Sequence, residues 1–261
     1  MISIATWNVN SIKVRVPHLL QWLRAESPDI VLLQELKCID DAFPCTEIEE
    51  LGYNIATHGQ KTYNGVAILS KFRLSDIHRG LAGDDADLQA RYIEAVAEIP
   101  SGVIRVASVY VPNGQTADSD KFQYKLAFLE RLKTHLKNLL TYDEAMVIGG
   151  DYNIAPEDID VHDPIQWHGS VLTHDLVRTS WRRMIHLGLH DAYRAIQPKD
   201  GGYSWWDYRA GAYHRDDGLR IDHLLLSTKA LEKLRDCRVH KELRALEKPS
   251  DHTPVIGVFD L

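Results

Sequence analysis

Short runs rich in β-branched and other apolar residues recur along the whole chain, and they limit its fold more than any other feature. They cover residues 2–6, 30–34, 65–70, 93–99, 104–111, 146–150, 221–227 and 255–260, each bounded by turn-forming residues, which predicts strands. Helical periodicity separates some of them, at residues 14–26, 121–140, 175–187 and 229–235. In the longest of these, Leu126, Leu129, Leu132, Leu136 and Leu139 or Leu140 return at three- and four-residue steps, so one face is apolar and covers a sheet. Strands outnumber helices and several are joined by hairpin-length connections. This disfavours an all-parallel doubly wound sheet and predicts an α/β chain of mixed sheets with helices outside.

With 261 residues and no low-complexity linker or short-period repeat, the chain reads as one domain, 1–261. Hydrophobic residues at 44% and charged residues at 26% exclude disorder and collagen-like repeats. No apolar stretch approaches a membrane span, and the N-terminus lacks a basic segment followed by an apolar one, so a soluble, unexported protein is expected. Cys38, Cys45 and Cys237 are an odd number without metal-ligand spacing, which fits a reducing cytoplasm. A formal charge of −7, from 30 Lys and Arg against 37 Asp and Glu, counts mildly against nucleic acid as a partner, though it says little about any one face. Segments 80–91, 112–120, 155–174 and 198–218 are long and polar, as functional loops commonly are.

Four places set a carboxylate or amide beside an apolar run: Thr6-Trp7-Asn8, Leu33-Gln34-Glu35, Gly150-Asp151-Tyr152-Asn153 and Ser250-Asp251-His252. Any one alone reads as a cap or turn former; four together suit attack on a phosphodiester. Oxygen donors from Asn8, Glu35, Asp151 and Asn153 match Mg²⁺, or Mn²⁺ in its place, and a dication would hold together carboxylates that otherwise repel. His252, beside Asp251, is a candidate base or transition-state stabiliser, and Asp222 could orient its ring by accepting the second N–H.

These motifs, with Thr-Trp-Asn-Val-Asn-Ser-Ile at 6–12, Leu-Gln-Glu-Leu-Lys at 33–37, Gly-Gln-Lys-Thr-Tyr-Asn-Gly-Val-Ala at 59–67, Ser-Trp-Trp-Asp-Tyr-Arg at 204–209, Gly-Leu-Arg-Ile-Asp-His at 218–223 and Glu-Lys-Pro-Ser-Asp-His-Thr-Pro-Val at 247–255, resemble the exodeoxyribonuclease III family. That family belongs to the endonuclease/exonuclease/phosphatase superfamily. The likeness runs in order over essentially the whole chain. It implies a four-layer α/β sandwich, two mixed β-sheets packed face to face with helices on the outside and the active site at one end. It implies a Mg²⁺-dependent DNA repair nuclease that trims 3′ ends of double-stranded DNA, with 3′-phosphatase or phosphodiesterase activity and some incision at abasic sites. A monomer is the default.

By the same resemblance Glu35 is the principal metal ligand, with Asn8 beside it and Asp251 near the metal. Asp151 and Asn153 position or deprotonate the attacking water and assist the leaving oxygen. His252, held by Asp222, stabilises the phosphate; Tyr110 sets its hydroxyl on it, and Asn113 is a neighbouring polar contact. Trp205 lines a deoxyribose pocket with Leu219 and Ile221; successive side chains of an extended segment point opposite ways, so of Trp205 and Trp206 one is open to a core place and the other to a functional one. Arg209, with Lys61, Arg91, Lys121, Arg178 and Arg182, is a candidate contact to the DNA backbone. His223 reads as a bystander, because alternation turns it away from Asp222.

One departure concerns residues 171–175, Val-Leu-Thr-His-Asp, where members that cut at abasic sites usually carry a glycine; here the nearest is Gly169. A bulky Leu172 or Thr173 is expected to crowd the duplex and weaken internal incision relative to 3′ trimming. A superfamily cousin acting on inositol phosphates or sphingomyelin would share the carboxylates and histidine, but the aromatic loop at 204–209 belongs to the DNA branch. A binding module that has lost catalysis would lack one of Glu35, Asp151, Asn153, Asp222 or His252, and all are present.

Overall fold

The computed structural model describes residues 1–261. The first six strands are β1 (Ile2–Asn8), β2 (Ile30–Gln34), β3 (Asn54–His58), β4 (Val66–Ser70), β5 (Leu74–Arg79) and β6 (Tyr92–Ile99). The other six are β7 (Gly102–Tyr110), β8 (Met146–Asp151), β9 (His190–Asp191), β10 (Asp222–Leu226), β11 (Leu234–Val239) and β12 (Val255–Phe259). They build two six-stranded sheets, ordered β11-β12-β1-β2-β4-β3 and β5-β6-β7-β8-β10-β9. Each contains one parallel pair, β1 with β2 and β7 with β8, and is otherwise antiparallel. This is the mixed two-sheet α/β sandwich expected above.

Alternation explains why the central strands are apolar on both faces. Ile4, Ile30 and Leu32 join Ile93, Val106 and Val147 in the core between the sheets. Their chain neighbours Ala5, Val31 and Leu33 pack instead with Leu19, Trp22 and Leu23 of the Ile12–Glu26 helix. On the other outer face, Ala107 and Ile148 share a core with Phe128, Leu132 and Leu136 of the Asp120–Leu139 helix and with Trp181 and Met184 of the Asp175–Ile185 helix.

Four strands escaped the sequence reading: β3, β5, β9 and β11. The helix expected at residues 229–235 is corrected: it spans only Thr228–Leu231, and Leu234 already pairs with Phe259 in β11. The apolar spacing of Leu231, Leu234 and Cys237 suits a helix face, but the last two are buried by β-pairing along β12 instead. No helix is long and apolar enough to cross a membrane.

The topology brings chemistry to one end. Strands of a parallel pair finish together, so Asn8 lies opposite Gln34, just before Glu35, and Tyr110 lies opposite Asp151. β10 runs antiparallel to β8 and starts at that end, with Asp222 opposite Asp151. The glycine before Asp151 is required by the close approach of β7, since a Cβ on Gly150 would lie 1.9 Å from the Val109 carbonyl oxygen.

Candidate active site

Asn8 ties the two sheets together at this end. Its Nδ2 donates to Glu35 Oε1 at 2.9 Å and to Asp151 Oδ2 at 3.0 Å, while its Oδ1 accepts from the Asn10 N–H at 3.0 Å. Beyond β2 and β8 the chain turns through left-handed conformations at Glu35 (φ 53°), uncommon for a glutamate, and Asn153 (φ 51°), a residue type that tolerates them. At Asn153 hydrogen bonds hold the turn. Its N–H donates to Asp151 Oδ1 at 2.8 Å, and its Nδ2 donates to Asp151 Oδ2 at 3.2 Å and to the Val111 carbonyl at 3.0 Å. Asn113 Nδ2 then donates to Asn153 Oδ1 at 3.0 Å.

His252 faces this group from the segment before β12. Its Nδ1 is 2.8 Å from Asp222 Oδ2, which also accepts from Ser204 Oγ at 2.6 Å, and its Nε2 is 3.7 Å from Asp151 Oδ2. Burial alone would pull the imidazole down, but the Asp222 and Asp151 charges hold it well above its ordinary value, which favours the protonated ring, with Nδ1 on Asp222 and Nε2 facing Asp151. Burial pushes the Asp151 carboxyl up; His252 pulls it back, and the Asp222 and Glu35 charges push it up again. Tyr110 is raised far above its ordinary range by burial and then by the Glu35 and Asp151 charges, so it stays a neutral phenol, with the Arg91 guanidinium 4.7 Å from its ring centroid.

Ligand atoms of Glu35, Asp151 and His252 lie within 4.8 Å of one another, and the Lys37 ammonium rests 2.8 Å from Glu35 Oε2. Two carboxylates facing each other, one raised by its neighbours, form a donor set that fits a hard dication. Asp251 is committed elsewhere: Oδ1 accepts from Asn10 Nδ2 at 2.8 Å and Oδ2 from Trp205 Nε1 at 3.0 Å. Burial would raise its carboxyl, yet His252 and these two N–H donors hold it below the usual range.

The tryptophan pair divides as alternation requires. Trp206 is wholly buried, with Nε1 donating to Asp216 at 3.0 Å, while Trp205 is half-buried and bridges in backbone to both Leu219 and His252. Leu219 and Ile221, 0% and 2% exposed, can line a pocket only from beneath. A residue missed in sequence, Trp167, stands edge-on to Trp205 with centroids 6.1 Å apart; a tryptophan in the long 155–174 loop was its one signal. Asn10, Lys37 and Ser204 were missed too, although each lies inside a quoted motif.

The structure places the remaining named residues as follows. Arg209 is exposed, and its guanidinium donates to Asp207 through two bonds of 3.0 Å. Arg178 is occupied by the Ala155 carbonyl and Asp158. Leu172 and Thr173 do not project toward a ligand: both are buried, Leu172 in the outer core and Thr173 on the Trp167 carbonyl. Neither side chain is therefore exposed to crowd a duplex. Arg220 pairs with Asp160 and Asp191, leaving Asp222 free for His252, and His223 is no idle neighbour, since it joins Arg220 Nη1 (3.0 Å) to the Ile154 carbonyl (2.8 Å). A cleft of about 760 Å³ opens beside the cluster, lined by Glu35, Lys37, Arg91, Tyr110, Asn113 and Lys121 among others.

Residues 5–252 match the endonuclease/exonuclease/phosphatase family. The chain belongs to that family. It is 35% identical to exodeoxyribonuclease III of Haemophilus influenzae, over 97% of this chain and 98% of the relative. The structure of the 3′ phosphatase NExo from Neisseria bound to a product DNA hairpin superposes with a TM-score of 0.97 at 41% identity, covering 100% of both chains. An AP endonuclease structure from Archaeoglobus fulgidus gives a TM-score of 0.95 at 39% identity, again over 100% of both chains.

Proposed function

We propose that this protein is a Mg²⁺-dependent DNA repair nuclease that hydrolyses phosphodiesters at the 3′ ends of duplex DNA, acting as one catalytic domain. Removal of 3′ phosphates and blocking groups and some incision at abasic sites accompany this activity. The observation that carries the reading is the convergence of Glu35, Asp151 and the Asp222-held His252 around one point at the end of the sandwich, beside Trp205. The names of the relatives supply the substrate class: exodeoxyribonuclease III, a 3′ phosphatase with product DNA and an AP endonuclease. Free thiols, two of them buried, suit a reducing cytoplasm.

Glu35 and Asp151 would hold the ion, with Asn8 bridging the two carboxylates and Asn153 bonded to Asp151, while Asp251 is tied to Asn10 and Trp205. Mg²⁺ suits these hard oxygen donors, with Mn²⁺ as a substitute. Held there, a dication would supply electrostatic stabilisation of the charge that develops on the phosphate and the leaving oxygen.

The chain's own groups account for the rest. Asp151 accepts a proton from the attacking water, and the Asn153 amide orients that water. Protons at His252 Nε2 and on the Tyr110 hydroxyl donate to the non-bridging phosphate oxygens as negative charge grows, the electrostatic stabilisation that dominates such reactions. The fission replaces a P–O bond to the leaving 3′ oxygen with one to water; the leaving oxygen takes its proton from solvent and Asp151 returns the one it accepted, so no covalent enzyme intermediate is needed. Trp205 offers a stacking face to the terminal sugar or base, with Trp167 behind it.

A second reading, in which abasic incision dominates, is favoured by the likeness to the Archaeoglobus fulgidus enzyme. Incubation of a duplex with a recessed, labelled strand in Mg²⁺ tests the class of reaction: stepwise shortening from the 3′ end, abolished by EDTA and by Asp151→Asn, is the expected result. An intact duplex under these conditions would send the reading to a non-DNA phosphoester.

A further inference from the structure

Lys125 sits on the buried face of the Asp120–Leu139 helix among Phe122, Phe128 and Leu129, and it is 0% exposed. A lysine there is unusual, because burying an ammonium without a counter-charge is costly and an apolar residue would pack at no such cost. It makes no ion pair. Its three N–H donors go instead to three backbone carbonyls: Asn113 at 3.1 Å, Asn153 at 2.7 Å and Val171 at 2.6 Å. The acceptors come from two connections: Asn113 from the one after β7, and Asn153 and Val171 from opposite ends of the one joining β8 to the Asp175–Ile185 helix.

Two of those acceptors belong to residues of the candidate site. Asn153 is in the left-handed region, with its N–H on Asp151 Oδ1 and its carbonyl on Lys125, so the residue is pinned from both sides. Asn113, whose carbonyl meets the same ammonium, donates its side-chain amide to Asn153 Oδ1. Burial pulls the ammonium down to about 7 and the Asp151 charge works against this, as expected for a cation that lacks a counter-ion in contact. We infer that Lys125 is a positioning residue for the reaction: by clamping three carbonyls of two long connections it holds Asn153, and through it Asp151, in the geometry that catalysis needs. The inference rests on the nuclease reading for its kinetic part.

The test compares Lys125→Met, Asn153→Ala and the double variant on a duplex with a recessed 3′ end, and measures Mn²⁺ binding to each by calorimetry. Lys125→Met should lower kcat by about 10- to 100-fold with KM moved by less than about 3-fold, as expected of a small misplacement of reacting groups. If Lys125 acts through Asn153, the double variant should be no more than about 3-fold slower than Asn153→Ala alone. Mn²⁺ affinity should weaken by about 10-fold in Lys125→Met, because a ligand-supporting contact is lost. Lys125→Arg, whose planar fork cannot point at all three carbonyls, should fall between wild type and Met in kcat. It decides the matter if Met prevents folding, which circular dichroism reports. Wild-type kcat and Mn²⁺ affinity in the altered protein, or multiplying losses in the double variant, would overturn the inference. Failure of the wild type to cut DNA would overturn the proposed function instead, and the Mn²⁺ comparison would still decide the role of Lys125.

Discussion

Asp222 Oδ2 lies 2.8 Å from His252 Nδ1 and 2.6 Å from the Ser204 hydroxyl, so one carboxylate oxygen fixes both the imidazole that faces Asp151 and the loop that carries Trp205. The charge on Asp222 also helps keep His252 protonated. Asp222→Asn replaces this acceptor by an amide that can present its N–H to Nδ1 and impose the wrong tautomer. It should reduce kcat by about 100-fold or more, while the melting temperature changes little. Steady-state kinetics beside thermal unfolding checks this; an unchanged kcat would remove Asp222 from the mechanism.

Glu35 is held by Asn8 and Lys37 with its carboxylate facing Asp151. Glu35→Gln removes a charge without changing shape. The Mg²⁺ concentration giving half-maximal activity should rise by about 10-fold or more, and calorimetric Mn²⁺ affinity should fall in parallel. Equal metal dependence in the two proteins would show that Glu35 is not a ligand.

Much of this site was legible in the sequence because catalytic groups sit where strands end, and strand ends are marked by a switch from apolar to polar residues. Asn8, Glu35 and Asp151 could be read that way, and Asp222 and His252 through the motifs around them. The edge strands were harder: β5 is half-exposed to exposed throughout, with a register shift between Ser75 and His78, so it shows no doubly buried apolar run. Side-chain direction in irregular segments was illegible, which is why Leu172 and Thr173 were assigned to a surface from which both turn away. Lys125 was invisible for a different reason. A lysine is solvated by default, and only the three carbonyls converging on it in the fold reveal it as buried.

The Trp205–Trp167 pair carries the reading of substrate contact. Trp205→Ala should weaken binding of a recessed 3′ end by about 10-fold, within the range for loss of one stacking surface. Trp167→Ala should have a smaller effect in the same direction, since it supports Trp205 from the edge. Binding of a fluorescent duplex in Ca²⁺, which slows cleavage, measures both; equal affinity in all three proteins would place the terminal nucleotide elsewhere.

His223 makes stability pH-dependent. Burial, and then the Arg220 charge, pull it down to about 4, so the folded protein keeps it neutral while the unfolded chain protonates it near 6.5. Between these values the unfolded state binds more protons, so stability falls as pH drops from about 6.5 to about 4, by about 3 kcal/mol from this group. His223→Gln can accept from Arg220 and donate to the Ile154 carbonyl without titrating, and it should flatten the acid limb of a urea-unfolding series. Parallel acid limbs in the two proteins would contradict the assignment.

The central claim is that the cluster around Asp151 acts first on 3′ ends. Two duplexes compared side by side in Mg²⁺, one with a recessed 3′ end and one with a single internal abasic analogue, test it most directly, with EDTA and Asp151→Asn as controls. Rapid shortening of the first and slow cutting of the second is the predicted result. Abasic incision at an equal or higher rate would keep the cluster and its roles but contradict the claim that 3′ trimming is the principal activity.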